Sequence, residues 1–136
     1  MANELSYPGG LPITLAFQVA NVAANATTNL TLAQAGTGFE VPTGYKFHAV
    51  FVQGGSNADL TAGAGVINVT SNGTALANGP TVTLNDTVQR ATDVERVGAE
   101  PVAAGKIIGC NIVADANFAP NTADLDVLIV GLLLPA

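Results

Sequence analysis

From Ile13 to Ala20 the chain alternates strictly. Ile13, Leu15, Phe17 and Val19 are apolar, and Thr14, Ala16, Gln18 and Ala20 between them are small or polar. A period of two fits a half-buried β-strand and does not fit a helix. The same pattern recurs along the chain, cut each time by Gly, Pro or Asn. It predicts a short strand at Asn29–Ala33 with Leu30 and Leu32 inward, and a long one from Tyr45 to Gln53. In the long strand Tyr45, Phe47, Ala49 and Phe51 share one face, and Lys46, His48, Val50 and Val52 share the other. Val66–Thr70 runs into Asn72-Gly73, a two-residue hairpin signal. Further strands are predicted at Thr81–Leu84, Lys106–Ala114 and Asp124–Leu133. Ala23–Thr27 has the composition of a single helical turn. Residues 86–100 read as an exposed connection with a short strand inside. Seven to nine short strands without a sustained helix predict an all-β fold, an antiparallel β-sandwich of jelly-roll type.

Two features shape the domain plan. Pro8-Gly9-Gly10 and Pro12 interrupt any regular element, so residues 1–12 are expected to form an extended arm and 13–136 a single domain. Val41-Pro42-Thr43-Gly44 and Val102-Ala103-Ala104-Gly105 each lead into a long strand, an echo expected of a sandwich built from two Greek-key halves. The last strand reads as apolar on both faces from Val127 to Leu134, interrupted by Gly131. That predicts cover from a loop or a partner subunit.

Charge is scarce. Only 10% of the 136 residues are charged, against roughly 25% in an average domain. The formal net charge is −6, with four Lys and Arg in all. Lys46, Arg90, Arg96 and Lys106 are too few and too scattered to neutralise a run of phosphates, so neither nucleic acid nor an anionic membrane is expected as a partner. The most apolar run is about eight residues, far below the ~20 of a spanning helix. The N-terminal residues show no basic or apolar region of a signal peptide. The Asn-x-Thr triplets starting at Asn25, Asn29, Asn68, Asn72 and Asn85 follow from the abundance of both residues.

Chemistry-bearing groups are few. His48 is the single histidine and Cys110 the single cysteine. Cys110 alternates with Ile108 and Ile112 and reads as a buried apolar thiol. His48 has no nucleophile arranged for it, since Ser6, Ser56 and Ser71 fall in the arm and in turns. It reads as a surface or interface histidine able to make a contact pH-sensitive. One His and one Cys cannot complete a zinc site. Asp124 and Asp126 point the same way but lack the six to eight oxygens of a calcium site, and read as a solvated strand end. No phosphate-binding glycine motif is present. The absence of Trp argues against a sugar platform. No cofactor and no enzymatic activity are expected.

The loose arm Ala2–Pro12, the strand entries Val41-Pro42-Thr43-Gly44-Tyr45 and Val102-Ala103-Ala104-Gly105, and the apolar ending Leu132-Leu133-Leu134-Pro135-Ala136 together resemble the jelly-roll capsid decoration (cement) proteins of tailed bacteriophages. The resemblance covers most of the chain as a general style. It implies a virion protein on the capsid exterior that binds the major capsid protein and copies of itself, with a trimer favoured. It also implies an arm that reaches over the shell or a neighbouring copy. Residues expected at the oligomer or capsid interface are Leu5, Tyr7, Leu11, Tyr45, Phe47, Arg90, Arg96, Leu128, Val130 and Leu132. The alternative is a receptor-binding or fibre-tip module recognising a host glycan or protein.

Overall fold

The computed structural model describes residues 10–33, 36 and 38–136. Eleven strands follow in order: β1 (Leu11–Val19), β2 (Ala26–Asn29), β3 (Thr31–Leu32), β4 (Phe39–Glu40), β5 (Tyr45–Ser56), β6 (Ala64–Ser71), β7 (Thr74–Ala75), β8 (Thr81–Asn85), β9 (Arg90–Val94), β10 (Ile107–Ala114) and β11 (Leu125–Pro135). Among the described residues there is no helix, and so none long and apolar enough to cross a membrane.

The strands form two antiparallel sheets. The first has the order β3-β1-β11-β5-β9, and the second β2-β10-β6-β7, with β4 also on β10 and β8 also on β6. The main strands thus lie as β1-β11-β5-β9 against β2-β10-β6-β8. First and last strands are neighbours at the middle of one sheet, which is the winding of a jelly roll. Two of the places where the chain changes sheet are corners. Leu30 links β2 to β3 while its N–H still donates to Cys110 O at 2.9 Å. The turn between β8 and β9 makes the other corner.

The alternating residues face a common core. Leu15 and Phe17 of β1, Ile67 and Val69 of β6, Val82 and Leu84 of β8, Ile108, Cys110 and Ile112 of β10, and Leu125, Val127 and Ile129 of β11 are all buried. Each large side chain so buried stabilises the fold by about 1.5–3 kcal/mol. Cys110 lies among them as an apolar filler. Burial pushes its thiol up from 9.0 to about 12, which leaves no reactive thiolate.

The two echoed segments occupy equivalent places in the fold. Gly44 and Gly105 take positive φ of +89° and +86°, and deliver the chain into β5 and β10, one in each sheet. Val41 N–H donates to Lys106 O, while Val102 and Phe47 exchange two backbone hydrogen bonds. Each segment therefore borders the strand that the other introduces. The predicted hairpin is also present. Asn72 and Gly73 both have positive φ, 49° and 87°, as a type I′ turn requires.

Four expectations need correction. Leu11 and Pro12 are not arm but the start of β1, paired with Leu133 and Leu132. Pro12 is tolerated because β3 reaches only Phe17 and Gln18, which leaves no neighbour to miss its N–H. The segment read as a helical turn is partly strand, since Ala26 and Thr27 belong to β2. Phe51 does not share a face with Phe47. The ladder between β11 and β5 shifts, Val130 standing opposite Phe51 but Gly131 opposite Ala49. Val50 is the extra residue of a bulge, and a bulge reverses which side chains face inward. Val52 is therefore buried and Phe51 turned outward. Finally, β11 is not buried on both faces: Leu125, Val127, Ile129, Gly131 and Leu133 are buried, while Asp126 and Leu128 are exposed and Val130, Leu132 and Leu134 half-buried.

Candidate assembly face

The outward side of the first sheet can be built row by row from the ladders. Gln18, Asp126, Gly55 and Arg90 stand opposite one another across β1, β11, β5 and β9. The next row is Ala16, Leu128, Gln53 and Thr92, and the third Thr14, Val130, Phe51 and Val94. Past the bulge come Pro12, Leu132 and His48, then Leu134 and Lys46. Directly opposed residues project from the same side of a sheet. The middle of this face is therefore free of charge and mostly apolar, with Leu128 at 39% and Val94 at 60% exposure. Charge is confined to the two ends: Asp126 and Arg90 at one, Lys46 and the facing pair His48 Nε2 and Glu95 Oε2 at the other.

Local structure sets each of these groups. Glu95 follows β9 directly, and its N–H donates to the carbonyl of the bulge residue Val50 at 3.1 Å. That bond brings the carboxylate over β5 to His48, where Oε2 is buried with no further hydrogen-bond partner. The Arg90 guanidinium lies over Gly55, in the space that a Cβ there would need, with Cζ 2.6 Å from that point. Asp126 Oδ2 accepts from Asn57 Nδ2 at 2.8 Å. Nearby Asp124 Oδ1 accepts from the Asn21 N–H at 3.3 Å. Both carboxylates border a depression of about 440 Å³ with Gln18, Thr31 and Asn57. Among the described residues no three His, Cys, Asp or Glu side chains gather to hold a metal ion.

The residues expected at an interface are divided by the fold. Leu128, Val130 and Leu132 come together on this face, with Arg90 at its rim. Leu11 and Tyr45 are exposed, at 48% and 40%, but each begins a strand beside the end of β11, away from the middle of the face. Phe47 has no surface to offer: it is fully buried, and its ring occupies the space above Gly131. Arg96 is exposed but is held by partners in its own chain. Its Nη1 donates to Asp93 Oδ2 at 2.9 Å and to Gly79 O at 3.1 Å, while the Thr81 N–H donates to the same carboxylate oxygen at 2.8 Å. Burial works to raise the Asp93 carboxyl. The hydrogen bonds from Thr81, Arg96 and Val94 and the Arg96 charge outweigh it and hold the group below the ordinary carboxylate range. Leu5 and Tyr7, with most of the expected arm, lie outside the described residues.

Sequence reasoning put Phe51 on one face with Phe47, and it did not bring Val94 and Thr14 to this face. Phe51 was hidden by the bulge, which leaves no sign in a Val-rich strand. The others join only through strand order, which period-two patterning does not reveal.

No protein-family model matches the chain, and no curated protein matches it. Two solved structures share its fold. One belongs to the acidic stable capsid structure of Helicobacter pylori bacteriophage KHP30, with 13% identity, a TM-score of 0.54, and coverage of 94% of this chain and 91% of that one. The other belongs to the capsid asymmetric unit of cyanophage Pam1, with 20% identity, a TM-score of 0.56, and coverage of 99% and 93%. The chain thus has, over nearly its whole length, a fold found in phage capsids.

Proposed function

We propose that this chain is a structural virion protein. It binds the outer surface of a bacteriophage capsid and reinforces the head as a homo-oligomer, and it does no chemistry. The observation that carries this reading is the outward face of the first sheet, an uncharged, mostly apolar middle with charge only at its ends. A face of that kind is suited to burial against protein. The fold shared with the two phage capsid structures points the same way.

The mechanism is linkage. A chain that binds only the assembled shell stabilises that state by mass action, more so as it saturates its sites. Leu128, Val130 and Leu132 supply the apolar contact between copies, and the N-terminal arm, through Leu5 and Tyr7, supplies the contact with the major capsid protein. Three copies per assembly is the favoured number. The test is sedimentation of the purified chain, alone and with heads that lack it. Self-association and co-sedimentation with the heads are expected. A chain that stays monomeric and leaves the heads unbound would overturn the reading.

A further inference from the structure

We draw no further inference here: the strongest candidate, the outward face of the first sheet with its uncharged, mostly apolar middle between charged ends, carries nothing because nothing in the structure shows what covers it.

Discussion

Phe47 and Gly131 meet where β5 pairs with β11, and the contact admits no additional atom. The Phe47 ring fills the position that a Cβ on Gly131 would take. Gly131→Ala is therefore expected to destabilise the chain by about 1–3 kcal/mol through overpacking, read as a lower urea midpoint with an unchanged slope. Cys110 gives a prediction of another kind. Its folded thiol titrates near 12 rather than 9.0, so the folded protein keeps a proton that the unfolded chain releases. The stability contribution is complete below about 9 and is lost as pH rises from there toward about 12, by about 1 kcal/mol per pH unit. Cys110→Ala should remove that part of the alkaline slope, measured by denaturation between about pH 8 and about pH 10.5. Asp93 has the opposite sign. Its depressed carboxyl contributes stability above the ordinary carboxylate range and loses it as the pH falls through the folded value. Asp93→Asn should flatten the acid limb of the stability curve and leave the alkaline limb unchanged. Cys110 was legible as a core residue, because it alternates with two isoleucines. Phe47 was legible as inward-facing or interfacial but not as one rather than the other, since an apolar residue in a strand satisfies both.

The elements were legible where turn chemistry and alternation agree, as at Asn72-Gly73 and in β1, β8 and β10. They were misread where one residue breaks the period. Val50 bulges, so the two halves of β5 present opposite alternations, and Phe51 moves from the core to the outward face. In β11 the doubly apolar reading came from Leu128, Val130, Leu132 and Leu134. These four line the outward face, where Gly10 packs against Leu132 and Leu134. The echo of Val41–Gly44 and Val102–Gly105 has a physical basis: both glycines hold positive φ, and a Cβ at either meets nothing within 4 Å. Gly44→Ala and Gly105→Ala are thus expected to cost similar amounts, about 1–2 kcal/mol each, from backbone strain alone. Paired thermal denaturation checks this. A large difference between the two would show that the turns are not equivalent.

At the scale of the molecule, the scarcity of charge takes on a spatial meaning. The chain places its charges at the ends of the outward face, at the Asp93–Arg96 corner and in exposed turns. The second sheet turns Thr27, Asn29, Val66, Asn68, Asn111, Val113, Thr81 and Thr83 outward, all uncharged. Composition predicted a surface poor in charge. It did not say that the first sheet would gather a mostly apolar middle between charged ends, because that arrangement needs strands distant in sequence to be neighbours. The central claim is that the chain reinforces a phage head by binding it. The most direct test is the temperature at which heads lacking the chain come apart, measured with and without the purified protein at saturation. The account predicts a higher disruption temperature on addition, reduced when Val130→Asp weakens contact between copies. An unchanged disruption temperature at saturating protein would contradict it.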